Sequence, residues 1–485
     1  MPFSSKASFL IALTTYAHHG FTAPIDLAWY PPAASDISNV TYVLSGTGVY
    51  DFIYNSSSNP NGVLYGSYNW CNMPHIRRQE YIQPHDDFSL VFVEVIHRHH
   101  KRTVYASNAF PIESYGWDCN DVELYYYAQS AGGPRPAHPY WQPYYSPINP
   151  FRPESGFVGT CQFPQITAGG LDDAWQHGKD LFDVYADFLS LATSDITQRS
   201  SFRVTQNTIT SQVAGEIING MLHEQSNVPV LVQPLDTDSL EPTYPCETAS
   251  TLYSAEQSTA SWKSHLDAAA PLFAQLDDIS GIPSSNADWH VSFDHYYDNL
   301  SARQCHGKPL PCKLVHGVNS TVCVTQAMAD EVYRLGNWEY SYLYRNDSRS
   351  LDAAVGSFGI WIGELSQHIS DVIEGKSEAT YFHNVAHDGS ISRLLSILQV
   401  DAMVWPGMGA EVVFEVWAKY DWDERVDAHY MRVLWGGKVL RSSNPTLGLM
   451  DMVPLKTVLA YFDGLVGTRA NMVPGKCNGS IPYHA

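Results

Sequence analysis

The sequence predicts an α/β protein: a core of alternating strands and helices, interrupted by a mostly helical insertion. Two observations carry that expectation. Strand-length apolar runs alternate with stretches of helical spacing on both sides of residues 235–335. Two of those strands also run directly into titratable clusters, Arg98-His99 and His387-Asp388. Ligands of open α/β sheets collect at such carboxyl strand ends. The chain is long enough for one large or two ordinary domains, with 485 residues of which 44% are hydrophobic.

The elements follow in order. Residues 1–23 carry Lys6, a short apolar stretch from Ala7 to Ala17 and a small-residue exit at Thr22-Ala23, the pattern of a secretory signal rather than a membrane span. Residues 24–80, rich in Pro, Asn, Ser and Tyr, read as an N-terminal arm. Phe88 to Ile96 is a buried strand, and 107–165 a long ordered loop. Leu171, Trp175, Gly178, Leu181, Phe182, Tyr185, Phe188 and Leu189 recur at helical spacing. A strand at 201–206, a helix at 208–222 and a strand at 229–234 complete the first half of a core spanning 81–234. Residues 235–335 read as the helical cap. The core resumes over 336–485 with a helix at 351–375, a strand at 379–387, a helix at 390–400, strands at 411–420 and 429–435, and a closing helix at 452–466.

Composition narrows the function. With 28 Lys and Arg against 50 Asp and Glu, the net charge of −22 argues against nucleic-acid binding. The acidity suits work at low pH. No apolar run after the N-terminus is long enough for a membrane anchor. N-x-S/T sequons at Asn39, Asn55, Asn299, Asn319, Asn346 and Asn478 predict surface N-glycans, and eight cysteines in a secreted chain predict disulfides of undetermined pairing.

The chemistry sits in six consecutive basic or titratable residues, His97 to Arg102. Arg98 and Arg102 flank His99, and two guanidinium forks can hold a tetrahedral anion against an imidazole. A neutral imidazole nitrogen can then attack phosphorus, without a metal or other cofactor. His387 supplies a donor to the phosphoryl oxygens, and Asp388 a proton for the leaving oxygen if its surroundings raise its pKa. His97 and Lys101 read as bystanders. A competing reading pairs His97 with His99 as metal ligands, completed by His295, His383 or an Asp; Arg98 and Arg102 would crowd such a cation.

In layout this resembles the histidine acid phosphatases and phytases, branch 2 of the histidine phosphatase superfamily. Arg98-His99-His100-Lys101-Arg102 is similar to that family's R-H-G-x-R motif, and His387-Asp388 to its late H-D pair. Gln165, Thr167, Gly170, Gln176 and Gly178 correspond to its G-Q-L-T segment, and the 410–420 stretch to its late strand. The resemblance implies a phosphoglycerate mutase-like α/β sandwich with a helical cap. It also implies phosphorylation on His99, phosphate clamped by Arg98 and Arg102 with His387 assisting, and Asp388 as the acid. Three departures stand out. His100 occupies the Gly position and Val104 the closing Pro, while Ile209 aligns with the third clamp arginine. Arg203 and His100 are further candidate phosphate ligands. The expected substrate is a small anionic phosphomonoester; the many aromatics of 105–150 form either a sugar-stacking rim or a buried layer. The alternative function is a repurposed or inactive protein of the same fold that binds an anion without turnover.

Overall fold

A computed structural model describes residues 25–49, 56, 61–111, 115–125, 137, 139–144, 146, 148–149, 158–192, 196–222, 227–421 and 426–482. The signal-like segment and Asn55 lie outside these residues. The core is one mixed sheet of eight strands: β1 (Ser89–Arg98), β2 (Ser200–Val204), β3 (Val230–Val232), β4 (Tyr381–Ala386), β5 (Glu411–Asp421), β6 (Val426–Trp435), β7 (Lys438–Val439) and β8 (Val453–Pro454). In space they run β7-β6-β5-β1-β4-β2-β3, with β8 on β6. β1, β4, β2 and β3 are parallel, whereas β5 pairs antiparallel with β1 and β6.

Side chains along β1 alternate between two faces. Phe92 and Ile96 enter one core, under helices α8 (Ser350–Ile373), α9 (Asp388–Ile397) and α10 (Leu455–Val466). Val93 and Val95 enter the other, under α1 (Ala168–Leu189) and α2 (Thr208–Met221). The sheet is thus sandwiched between helical layers, as the sequence predicts.

A third core forms within the insertion. It gathers α4 (Ala260–Ala268), α5 (Ala270–Ser280), α6 (Asp294–Cys305) and α7 (Gln326–Ser341), together with Val43, Val49, Trp70 and Cys71 from the N-terminal region. The first helix after residue 235, α3 (Glu247–Gln257), instead places Ala249 in the α8 core. All eight cysteines are paired: Cys71–Cys305, Cys119–Cys161, Cys246–Cys477 and Cys312–Cys323. The first joins the N-terminal region to the cap, and the third joins the chain's end to α3. No described helix is long and apolar enough to cross a membrane.

One glycosylation expectation is corrected. Asn299 is 1% exposed, donates to the Asn108 carbonyl at 2.9 Å and accepts from Arg303 Nε at 2.8 Å. It can carry no glycan in the folded chain. Asn39, Asn319 and Asn478 are exposed and Asn346 is half-buried.

Candidate active site

The sheet register builds the site. β1 and β4 run parallel with Arg98 opposite Ala386, so both strands end at one level. The residues that follow, His99 and His387, therefore lie side by side, ring centroids 5.5 Å apart and nearly edge-to-face. The His99 backbone is pinned on both sides: its N–H donates to Ala386 O at 3.0 Å, and its carbonyl accepts from Gly409 N at 3.1 Å. α1 starts against the same loop. A Cβ on Gly170 would lie 2.0 Å from the Lys101 carbonyl, so only glycine permits that approach.

His99 is 2% exposed. Its Nδ1 lies 3.0 Å from the His100 carbonyl. A carbonyl only accepts, so Nδ1 carries the proton and Nε2 the lone pair. Burial first, then the charges of Arg102, Arg98 and His387, hold the imidazole pKa well below its ordinary 6.5. Burial and these charges thus favour the neutral ring, with its lone pair on Nε2.

Both flanking arginines are buried, and both are held by carboxylates. Arg98 reaches Asp388 Oδ2 at 2.9 Å and donates to the Pro406 carbonyl at 2.7 Å. Arg102 pairs with both oxygens of Asp298, at 3.0 and 3.3 Å, and its guanidinium lies 4.3 Å from the centre of the Tyr105 ring. The Nε of each arginine is buried without a partner among the described residues. Buried donors are rarely left so, and both of these belong to arginines whose charges act on His99.

Asp388 opens α9 and is half-buried. It accepts from Gly389 N at 2.7 Å and Trp405 Nε1 at 2.8 Å in addition to Arg98. Burial pushes its pKa up, but Arg98, Trp405, His387 and Gly389 together outweigh that and hold it below the ordinary 3.8. The raised pKa that an acid needs is thus absent while Arg98 remains on the carboxylate. His387 is held neutral, pKa lowered to about 4, by burial and then by Arg98 and Arg102 against the pull of Asp388. Its Nε2 meets Thr205 Oγ1 at 3.0 Å and Glu241 Oε1 at 3.4 Å.

Two sequence-named candidates are not brought to this cluster. Arg203 binds Glu364 at 2.7 Å, Asp238 at 3.1 Å, Gln233 at 2.7 Å and Ser239 at 2.8 Å; four acceptors commit its guanidinium, so it is not a phosphate ligand in this arrangement. His100 turns to the opposite side and meets His177 Nδ1 at 3.1 Å. Ile209 is 0% exposed in the core beneath α2. Lys101 is held by Asp173 at 2.9 Å, so it does not stand in for the third arginine. His97 and His99 do not converge: His97 Nε2 faces His383 Nε2 at 2.9 Å.

Sequence reasoning missed Asp298, Glu241, Thr205 and Trp405. Asp298 lies in α6, buried at every residue from Tyr296 to Cys305 despite its polarity. A polar segment without an apolar stripe is the one signal that could have marked it as sandwiched. Of the 105–150 aromatics, Trp117 is buried, while Tyr125, Tyr140, Trp141 and Tyr144 are exposed. Tyr105 touches the site, through Arg102; Tyr126, Tyr127 and Tyr145 lie outside the described residues.

No protein-family model matches the chain. It is 23% identical over 368 residues to Counting factor 60 of Dictyostelium discoideum, spanning 73% of this chain and 81% of that protein. It is 24% identical over 169 residues to 2-phosphoxylose phosphatase 1 of Xenopus tropicalis, 34% of this chain and 30% of that one. The Hafnia alvei phytase, solved with tartrate, superposes with a TM-score of 0.51 at 11% identity, covering 80% of this chain and 99% of the phytase. The same enzyme solved with myo-inositol hexakis sulphate gives 0.51 as well. The fold is that of the histidine acid phosphatases and phytases, and the sequence is a divergent one within it.

Proposed function

We propose that the protein is a secreted acid phosphomonoesterase that works through a phosphohistidine on His99. One observation carries the reading: a buried, neutral His99 with its Nε2 lone pair free of the Nδ1 anchor, between two arginines whose Nε–H groups are buried and unpartnered. An anionic phosphoryl group satisfies both donors and meets the nucleophile. The four disulfides fit an oxidising compartment, and the exposed sequons fit glycosylation there.

The reaction follows from the same groups. His99 Nε2 attacks phosphorus, forming an N–P bond as the ester P–O bond breaks. Arg98, drawn to the phosphoryl oxygens, leaves Asp388. With its strongest counter-charge gone, burial raises the Asp388 pKa, and the carboxyl takes up a proton that it passes to the departing alkoxide. In the second half, Asp388 removes a proton from water, which attacks the phosphohistidine and releases phosphate. Acid pH assists entry of the anion. Glu241, beside His387, has its pKa raised by burial and by Asp238, so it takes up a proton more readily than an ordinary carboxylate and loses the charge that repels the substrate.

The substrate in this reading is a small phosphomonoester, such as a phosphosugar. The two clamp arginines are each paired with a carboxylate, Asp388 and Asp298, and a third carboxylate, Glu241, lies against His387, a poor setting for a polyphosphate. The buried Ile209 favours a second reading, anion binding without turnover. A missing charge-assisted hydrogen bond removes about 1.5–3 kcal/mol, or ~10- to 100-fold in rate. Hydrolysis of a chromogenic phosphomonoester between about pH 4 and 6, by wild type and His99→Ala, separates the two. Turnover abolished by His99→Ala, with an acid-labile phosphoryl group trapped on the wild type, is expected. Phosphate binding without turnover would establish the second reading.

A further inference from the structure

Behind the nucleophile lies a second cluster that the proposed reaction does not use. His97, His100 and His177 are each 0% exposed and His383 is 1% exposed. Strand alternation explains their meeting: His97 continues the Val93 and Val95 face of β1, His383 stands on the same face of β4, and α1 covers both with His177. The His97 ring is 4.7 Å from that of His177 and 5.7 Å from that of His100.

The hydrogen bonds within this cluster cannot all be satisfied. His177 Nε2 lies 2.7 Å from Glu411 Oε2. If it donates there, His177 Nδ1 is a lone pair that accepts from His100 Nε2 at 3.1 Å. His100 Nδ1 is then a second lone pair, fully buried, with no donor among the described residues. Reversing every donor moves the fault without removing it, since Nδ1 then becomes a buried donor with no acceptor. An imidazole sits here only because residue 409 is glycine: a Cβ there would lie 2.7 Å from His100 Cε1 and 2.9 Å from Nδ1.

We propose that His97, His100 and His177 bind a divalent transition-metal ion of the zinc class. Their ligand nitrogens lie within 4.8 Å of one another, and two of them are already 3.1 Å apart. Three imidazoles on a tetrahedral ion at about 2.0–2.1 Å place their nitrogens about 3.3 Å apart, so a small swing of His97 away from His383 closes the set. Imidazole nitrogens select zinc, nickel or copper over the hard cations. Two of the three outer nitrogens have supporting partners, Glu411 on His177 Nε2 at 2.7 Å and the Arg98 carbonyl on His97 Nδ1 at 2.8 Å, while His100 Nδ1 has none among the described residues. Such partners orient histidine ligands in metal sites generally. The ion would not touch substrate. It would fix the peptide whose carbonyl, on His100, orients the His99 ring. The site departs from the sequence expectation of no metal, and it stands independently of the proposed reaction.

The test uses the full chain and the metal alone. After dialysis against Zn²⁺ or Co²⁺ and removal of excess, the wild type is expected to hold about one ion per chain, with visible ligand-field absorption for cobalt. His100→Gly and His177→Asn are expected to reduce bound metal at least tenfold, and His99→Ala to leave it unchanged. A folded wild type that retains no ion overturns the proposal, and so does full retention by His100→Gly. The wild-type cobalt spectrum decides by itself if His177→Asn does not fold. None of these readouts depends on phosphatase turnover.

Discussion

Asp388→Asn tests the resting ion pair and the proposed proton donor together. The carboxylate lies 2.9 Å from Arg98, where two unit charges attract by about 6 kcal/mol at an effective dielectric of about 20. Asn keeps the volume and can still accept from Trp405 or Gly389, but it leaves the buried Arg98 charge unpaired. Breaking a buried pair costs about 3–5 kcal/mol. Because Asp388 retains 22% side-chain exposure, the lower end, about 3 kcal/mol, is expected. For a chain of this length that lowers Tm by about 3 °C. The freed Arg98 should then bind inorganic phosphate at least about tenfold more tightly than in wild type, because the internal competitor is gone. Phosphate should restore Tm more fully in the variant than in the parent. Catalysis should divide by leaving group. Alkyl phosphates, which need a proton, should lose about 10²–10⁴ in kcat, while p-nitrophenyl phosphate should lose much less. Thermal unfolding with and without phosphate, plus turnover of the two esters, measures all of this. Equal losses for both esters, or weaker phosphate binding by the variant, would refute the argument.

Other outcomes follow from single contacts. Glu256 is 0% exposed, both of its oxygens lack hydrogen-bond partners among the described residues, and burial raises its pKa to about 9 from 4.5. The unfolded chain therefore releases this proton first, so the stability it contributes is complete below pH 4.5 and falls as the pH rises toward 9. Urea midpoints should drop between about pH 5 and 7 by the equivalent of ~2 kcal/mol, and Glu256→Gln should flatten that dependence; an unchanged slope in the variant would count against it. Ile209→Arg should not restore a third clamp, because the side chain lies in the α2 core; losing a buried Ile costs about 2–5 kcal/mol before the charge is counted. Soluble Ile209→Arg with tighter phosphate binding would contradict that placement. Cys246→Ser with Cys477→Ser opens a link across 231 residues, worth up to about 5 kcal/mol, and should lower the urea midpoint without changing KM.

The sandwich was legible because the helical spacing of α1 and α8 alternates with strand-length runs such as β1, which is buried on both faces. Arg98, His99, His387 and Asp388 were legible because they end two strands that prove to be parallel neighbours. Partners supplied by the cap were not. Asp298 is 196 positions from Arg102, and no local pattern relates residues so far apart. Arg203 misled for the opposite reason: it follows a strand motif, but four acceptors from the chain around 233–239 and from α8 enclose it. His100 was visible only as a departure from glycine, and its direction depends on Gly409 and His177, which lie far off in sequence.

Under the proposed function, the internal carboxylates explain how an acidic protein can store a cationic clamp. Two buried guanidinium groups without counter-ions would cost several kcal/mol each, and Asp388 and Asp298 remove most of that cost. The same pairing sets a threshold, because a ligand must offer Arg98 more than Asp388 does. A phosphoryl group does so by bringing several oxygens to the unpartnered Nε donors, whereas a simple carboxylate only exchanges one like partner for another. The clamp should therefore discriminate phosphate from acetate by far more than charge alone predicts. Displacement of phosphate by acetate at comparable concentrations, measured calorimetrically, would remove the basis for that threshold.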